Sequence, residues 1–155
     1  MIQRIQSLYL LLTSLLSILF LKGSYLTFFD NSDTVINMMM TGLFKSGAIS
    51  GPEKIGDVWI ILILGILIPF CSIIAIILFK KRDLQLVLVK ILIAIIAAFS
   101  IASFTYSFMI ISKYDASFGS WYKLLIPILQ LIGSVLAFRG IKKDNDLVKS
   151  YDRLR

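Results

Sequence analysis

The stretch that decides the fold is residues 58–112, which read VWIILILGILIPFCSIIAIILFKKRDLQLVLVKILIAIIAAFSIASFTYSFMIIS. Its first part, 58–79, and its last part, 91–112, are each 22 residues long and carry no formal charge. At about 1.5 Å per residue, either part can cross a hydrocarbon layer roughly 30 Å thick as a helix. The short basic turn between them allows only an antiparallel helical pair, so the sequence predicts an integral membrane protein.

Two further apolar runs complete a predicted all-α fold, a bundle of four transmembrane helices in a single domain. We expect spans at about 5–21, 58–79, 87–112 and 121–138 of the 155 residues. A basic start before an apolar run is also typical of a signal peptide, but residues 20–23 match a cleavage site poorly, so we expect this helix to be retained. Hydrophobic residues make up 58% of the chain against 16% charged, which is a balance beyond that of soluble domains.

The connection 22–57 is the one long polar segment, and its first half predicts a short β-hairpin. Aromatic and β-branched residues at 24–29 and 34–38 flank the turn cluster DNSD at 30–33. Glycines and a proline interrupt the rest of this outer loop, so we expect irregular chain there. The methionine triplet 38–40 could recruit copper(I), but consecutive strand residues point to alternate faces, so packing is the favoured interpretation.

Few polar groups lie inside the predicted spans, and packing is the simplest role for each of them. Pro69 is expected to kink the second helix. The amide of Gln130 is expected to form an interhelical hydrogen bond rather than to contact a substrate. The single cysteine, Cys71, lies in an apolar segment and is interpreted as a packing residue.

A stripe of small residues on the third helix predicts a close helix contact. Ala94, Ala98 and Ala102 recur at four-residue spacing, which places them on one face. Small residues allow helices in lipid to approach closely. We expect this face to contact another helix of the same chain, with a partner subunit as the second interpretation.

The distribution of basic residues predicts the orientation. Four crossings place both termini and the central turn on one side, which carries eleven Lys and Arg residues, whereas the other side carries five. The positive-inside rule makes the richer side cytoplasmic. The tail 139–155 reads as a short basic amphipathic helix that could lie on an anionic membrane surface or dock on a protein. We therefore predict contacts with lipid headgroups or a partner for Lys80, Lys81, Arg82, Lys142, Lys143, Arg153 and Arg155.

The chemistry that the sequence lacks is informative as well. It has no histidine, no glycine-rich phosphate loop and no ionisable residue deep inside a span. The outer loop carries four carboxylates, and a pair of its aspartates could serve a membrane-embedded hydrolase, but nothing nearby supplies the rest of a site. The four carboxylates are Asp30, Asp33, Glu53 and Asp57. We expect no enzyme activity, no cofactor, no metal site and no nucleic-acid partner, since the basic residues lie at membrane edges rather than on one face.

The two ends of the chain carry a resemblance to known sequences. The start, MIQRIQSLYL at 1–10, and the segments IKKD at 141–144, LVKS at 147–150 and DRLR at 152–155 are the pertinent motifs. They resemble an uncharacterised family of small four-helix inner-membrane proteins from Bacteroidota, a domain of unknown function. The resemblance implies a bacterial cytoplasmic membrane and four spans, and it transfers no catalytic or binding residue.

Three hypotheses for function follow. The leading one is a non-catalytic structural or accessory subunit of a larger inner-membrane complex, in contact with lipids and other inner-membrane proteins. It predicts an apolar face matched to another chain. The alternative is a small carrier or lipid-binding protein with an apolar pocket near Pro69 and Gln130. The third is a membrane-embedded enzyme, in which carboxylates among Asp30, Asp33 and Asp57 would have to lie close together at the outer edge of the membrane.

Overall fold

A computed structural model describes residues 3–21, 23–30, 34–47 and 51–153, in which a five-stranded antiparallel sheet covers one end of a set of four helices. The helices are α1 (Gln3–Leu21), α2 (Trp59–Ile77), α3 (Arg82–Tyr114) and α4 (Leu125–Arg153). The strands are β1 (Ser24–Phe29), β2 (Val35–Met39), β3 (Gly42–Ser46), β4 (Glu53–Gly56) and β5 (Ser117–Phe118). The prediction of an all-α four-helix bundle is therefore wrong, because the fold is mixed, with helices and a sheet.

The sheet contains the predicted hairpin and extends it on both sides. Strands β1 and β2 pair with Phe28 opposite Ile36, and the strand order is β4-β3-β2-β1-β5. The part of the outer loop that we expected to be irregular forms β3 and β4. Its glycines fall at strand ends, at Gly42 and Gly56, so they connect strands instead of interrupting them.

The helices pack in a ring, in which α1 and α3 each contact both α2 and α4. Among the described residues, three segments are long and apolar enough to cross a membrane, namely Trp59–Lys80, Arg82–Tyr114 and Leu125–Val148. Helix α1 contributes a shorter apolar stretch, Ile5–Leu19. These lengths and compositions indicate a membrane protein. Helix α4 runs on to Arg153 without a break, so the basic tail is its second half rather than a separate helix.

Helix α1 has a polar inner face and an apolar outer face. Seven of its large apolar residues are between 45% and 62% exposed, namely Ile5, Leu8, Leu11, Leu12, Leu15, Ile18 and Leu19. Its buried face carries the polar residues Gln6, Thr13, Ser14 and Ser17. A water-soluble helix has the opposite arrangement, whereas a helix surrounded by lipid keeps its polar groups for contacts between helices.

Small polar residues join α1 to α2 in the interior. The Ser72 hydroxyl donates to the backbone oxygen of Leu10 at 2.6 Å, and the Ser17 hydroxyl donates to that of Gly65 at 3.0 Å. A side chain at position 65 would also meet the Met40 methyl carbon at 3.2 Å. Glycine therefore lets α1 and the loop after β2 both approach α2 closely.

The inner face of the sheet is apolar, unlike the inner face of α1. Leu26, Phe28, Ile36 and Met38 are fully buried. On the opposite face of the same two strands, Thr27 and Asn37 are paired in register and hydrogen-bonded at 3.3 Å.

Tyr25 fixes the sheet to the bundle. Its ring packs against Phe99 of α3 at 5.6 Å between centroids, and its hydroxyl donates to the Ser103 hydroxyl at 3.0 Å. The burial of Met38 and Met40 agrees with the packing interpretation of the methionine triplet.

Candidate functional site at the basic end

Polar side chains from three helices meet at the end of the bundle away from the sheet, which we call the basic end (residues 5–9, 78–90 and 139–150). At its centre, the Gln6 amide of α1 donates from Nε2 to Oδ2 of Asp144 on α4 at 2.8 Å. Both side chains are buried, with 6% and 9% of their surface exposed. Arg82 of α3 donates from Nη1 to the backbone oxygen of Asp144 at 3.0 Å. One residue of α4 therefore holds both α1 and α3.

Two more amides extend this network to α2 and to the start of α3. Asn145 donates from Nδ2 to Oδ1 of Asp83 at 2.9 Å. Gln85 donates from Nε2 to the backbone oxygen of Ala75 at 2.9 Å. It is one of the last four backbone oxygens of α2, which accept no hydrogen bond from an N–H group of their own helix. Gln85 therefore supplies a donor to an oxygen at the end of α2.

A glycine allows α1 and α4 to come close enough for the central hydrogen bond. A side chain at Gly140 would lie 2.8 Å from Cγ of Gln6, so any larger residue would displace the glutamine. Beside this contact lies a cavity of about 10 Å³, lined in part by Arg82, Gln85 and Asp144. Its volume and polar lining suit one water molecule.

Two open surface regions, which we call grooves, lie at the basic end: the first is between the start of α3 and α4, and the second is a shallow region along one face of α4. The first groove has a volume of about 650 Å³ and is lined by Lys80, Lys81, Arg82, Asp83, Asn145 and Val148, among others. The second groove has a volume of about 490 Å³ and is lined by Arg139, Lys142, Lys143, Asp146, Leu147 and Ser150. Each groove sets cations beside an exposed aliphatic side chain. This combination suits an anionic group attached to an apolar chain.

The structure brings most of the predicted contact residues to these grooves. Lys80, Lys81 and Arg82 lie in the first groove, and Lys142 and Lys143 lie in the second. The sequence also predicted contacts for two residues near the end of the chain. Arg153 is the last residue of α4, with its side chain outside the described part, and Arg155 lies outside the described residues.

The buried network itself was not predicted from the sequence. Gln6 and Asp144 are 138 residues apart, so no local pattern joins them. One signal was available, because Gln6, Thr13 and Ser17 recur at helical spacing and mark a polar face on an otherwise apolar helix. Asp144 and Asn145 were hidden within a charged segment that reads as a solvated tail.

A family model described as "Domain of unknown function (DUF4293)" matches residues 2–154. The chain belongs to the DUF4293 family. The predicted resemblance to an uncharacterised family is thus confirmed, while the assignment to Bacteroidota stays a prediction. No curated protein matches this DUF4293 chain.

The loop carboxylates of this DUF4293 protein are held apart from one another. Asp30, at the end of β1, accepts from Lys45 at 2.9 Å, and Asp57, after β4, forms an ion pair with Lys54. These positions lie three strands apart, roughly 14 Å, and at opposite strand ends. Asp33 lies outside the described residues. Within the described ranges, no group of three or more His, Cys, Asp or Glu residues could hold a metal ion.

Gln130 occupies the interior of the DUF4293 bundle, where it is 1% exposed. Its Nε2 donates from α4 to the backbone oxygen of Thr13 on α1 at 3.4 Å, which is the expected interhelical bond, although longer than the usual range for such bonds. Its Oε1 is buried without a hydrogen-bond partner among the described residues. The grooves at the basic end do not include this residue.

Proposed function

We propose that this DUF4293 protein is a non-catalytic accessory subunit of a larger complex in the cytoplasmic membrane of bacteria, Bacteroidota among them. In this proposal the chain crosses the membrane four times, with both termini and the basic end in the cytoplasm. The inverted polarity of α1 supports the fourth crossing, since its leucines need an apolar environment. The excess of Lys and Arg on the side of the termini supports the orientation.

The observation that carries the subunit role is the surface of α3. Ala94 and Ala98 are exposed, so the expectation that the stripe contacts another helix of this chain is wrong for these two residues, whereas Ala102 is partly buried and packs against the core. The physical reason is that the buried line of α3 runs instead through larger residues such as Leu92, Ile96 and Phe99. A strip of small residues facing outward lets a membrane-spanning helix of another protein pack closely, which we propose as the contact.

The test is purification of the tagged protein from its native membrane in mild detergent, with mass spectrometry of what remains bound. The proposal predicts a stoichiometric membrane protein whose recovery falls at least about tenfold, or 1.4 kcal/mol, in an Ala94→Leu/Ala98→Leu variant. Leu129→Phe is the matched control, because it adds bulk at an exposed position of α4. A clean monomer or homo-oligomer from the unmodified protein would contradict the subunit role.

Anionic lipids are the second partner that we propose, with their headgroups in the two grooves of the basic end. The three cations of the first groove, Lys80, Lys81 and Arg82, support this contact. Native mass spectrometry after reconstitution in phosphatidylglycerol or phosphatidylcholine tests it. Retained phosphatidylglycerol should decrease in a Lys80→Ala/Lys81→Ala variant, and equal retention of both lipids would contradict the contact.

The alternative function is a small carrier or lipid-binding protein, and Gln130 is the observation that favours it. A buried amide oxygen without a partner can accept a hydrogen bond from a ligand hydroxyl or amine. Organic extraction of the purified protein, followed by mass spectrometry, would reveal such a ligand. Its loss in Gln130→Leu, with the fold intact, would support this alternative over the subunit role.

A further inference from the structure

Helix α3 extends well beyond the other helices at the sheet end. Two cross-helix contacts fix the levels of its neighbours: Gln85 bonds to Ala75 of α2, and Lys90 lies 5.8 Å from the Phe138 ring of α4. Counting residues from these two contacts along the antiparallel helices places the first residues of α2 and of α4 near the level of Ser103 in α3. The remaining residues of α3, 104–114, therefore project about 16 Å past them.

The sheet occupies the layer beside this extension. Tyr25 of β1 bonds to Ser103, at the lower limit of the layer. Lys45 of β3 lies 5.7 Å from the ring of Tyr114, the last residue of α3, at its upper limit. The sheet and residues 104–114 of α3 thus share one level of the molecule.

Charged residues bound a layer of membrane thickness that includes this level. Lys90 and Arg139 are exposed at one height, on α3 and α4 respectively. Lys113 lies at the far end of α3, beside Tyr114. The charge-free segment of α3 between the two lysines, 91–112, is about 33 Å long, which matches a hydrocarbon core of roughly 30 Å. The charge-free segment of α4, 124–138, is only about 22 Å long, so a core of roughly 30 Å continues past the start of α4 into the sheet layer. Lys123 lies at that level, where its half-buried ammonium donates to the backbone oxygen of Ser24 at 2.8 Å instead of facing lipid.

The two edges of the sheet differ in polarity, one being apolar and the other charged. On the edge formed by β1 and β5, Phe29 and Phe118 are 51% and 38% exposed. On the α3 extension, Phe104, Phe108 and Met109 are also exposed. At the opposite edge, β4 presents exposed Glu53 and Lys54, and Lys54 pairs with Asp57.

We infer that lipid acyl chains cover the α3 extension and the β1–β5 edge, so that this side of the sheet is immersed in the leaflet at the sheet end. The β4 edge faces water. The charges of β4 lie near the start of α2, at a level where the α3 extension is still apolar. The boundary of the apolar surface is therefore oblique to the helices, so the bundle axis is tilted relative to the membrane normal. One side of the sheet therefore lies within the membrane, and the sheet is not a domain held above it. This inference does not depend on the proposed subunit role.

The experiment uses single cysteines in the full chain on a Cys71→Ala background, reconstituted in phosphatidylcholine–phosphatidylglycerol vesicles. Phe108→Cys and Phe118→Cys probe the immersed side, and Lys54→Cys is the control on the water-facing edge. We expect a membrane-impermeant maleimide to label Lys54→Cys at least about tenfold faster than the other two. A bimane dye, attached in detergent before reconstitution, should be quenched at positions 108 and 118 by lipids carrying a nitroxide on the acyl chain.

Equal labelling at all three positions would overturn the inference. Protection from the maleimide without quenching by the lipid nitroxide would also overturn it, because a protein surface would then be the cover. Full labelling after denaturation in SDS verifies that each thiol is reactive. If Phe118→Cys does not fold, Thr105→Cys replaces it, since this residue is exposed on the extension and its loss leaves the aromatic packing intact.

Discussion

The helical bundle and the sheet bury opposite kinds of residue. The bundle directs Thr13, Ser17 and Gln130 inward and leaves its leucines exposed, whereas the sheet buries residues such as Phe28 and Met38. In lipid, apolar side chains gain little from burial, so helices associate through close packing and hydrogen bonds. The sheet is held by close packing of large apolar side chains, and truncation of one leaves a cavity that costs free energy whether lipid or water surrounds the protein. The two regions should therefore respond very differently to substitution.

The largest expected effect is in the sheet. Phe28→Ala removes a fully buried ring that packs on Phe118 at 5.1 Å between centroids. It should lower the free energy of unfolding by about 3–4 kcal/mol, as for large-to-small substitutions in cores. Chemical denaturation in a fixed mixed micelle, followed by circular dichroism, measures this loss.

Phe29→Ala is the matched control for that substitution, because the neighbouring ring is 51% exposed. It should cost less than about 1 kcal/mol. Equal losses for the two variants would mean that the inner face of the sheet does not pack as described, and that the contrast with the bundle is unfounded.

The second effect is a loss of stability at alkaline pH that arises from Tyr25. Burial raises the pKa of Tyr25 from 10.0 to about 12, and the hydrogen bond with Ser103 offsets this only in part. Between these values the unfolded chain releases the phenolic proton while the folded chain retains it. The stabilisation is therefore fully present below pH 10 and decreases as the pH rises to 12, by up to about 3 kcal/mol.

Denaturation curves at pH 8, 10 and 11.5 for the unmodified protein and for Tyr25→Phe measure this dependence. Lysines and the other tyrosines titrate in both proteins, so the difference between the two curves isolates Tyr25. Parallel pH dependence would show that Tyr25 is not buried against α3.

A smaller effect is expected from the central hydrogen bond of the basic end. A double-mutant cycle with Gln6→Ala and Asp144→Ala should give a coupling energy of about 1–2 kcal/mol, since both groups are buried and bonded to each other. Asp146→Ala, at an exposed position of the same helix turn, is the control and should change stability by less than about 0.5 kcal/mol. A coupling energy near zero would mean that α1 and α4 are not joined at Gln6.

The smallest effect concerns the polar contacts inside the bundle. Ser17→Ala removes a hydrogen bond from α1 to the backbone of α2 and should cost about 0.6 kcal/mol, the mean for such bonds in membranes. Ser100→Ala is the matched control, because its hydroxyl bonds to Ile96 within its own helix. A cost for Ser17→Ala comparable to that of Phe28→Ala would remove the distinction between the two regions.

The same contrast explains how much of the fold could be predicted. Uncharged runs such as 58–79 are visible in the sequence because they are continuous, and the turn cluster at 30–33 identified the β1–β2 hairpin. Strand β5 could not be found in this way, because it is two residues long and pairs Phe118 with Phe28, far away in the chain. Membership of the sheet is decided by pairing between residues that are far apart in the chain.

The candidate site could also be predicted only in part from the sequence. All the cations that line the two grooves except Arg139 were among the predicted contact residues, because basic residues at the end of a span are a compositional signal. The network of Gln6, Gln85, Asp144 and Asn145 was not, since each residue alone reads as an ordinary polar residue near a membrane edge. Its role arises from the convergence of three helices, and Gly140 is the residue that makes the closest approach possible.

The most direct test of the account is a nitroxide scan along α1, from position 8 to position 19, in reconstituted vesicles. Power-saturation EPR measures the access of oxygen, which partitions into lipid, and of a water-soluble nickel chelate. We expect oxygen maxima at Leu8, Leu12, Leu15 and Leu19, minima at Thr13 and Ser17, and low access of the chelate throughout. Chelate access along the leucine face, or oxygen maxima at the polar positions, would contradict the assignment of α1 as a membrane helix with its polar face turned inward.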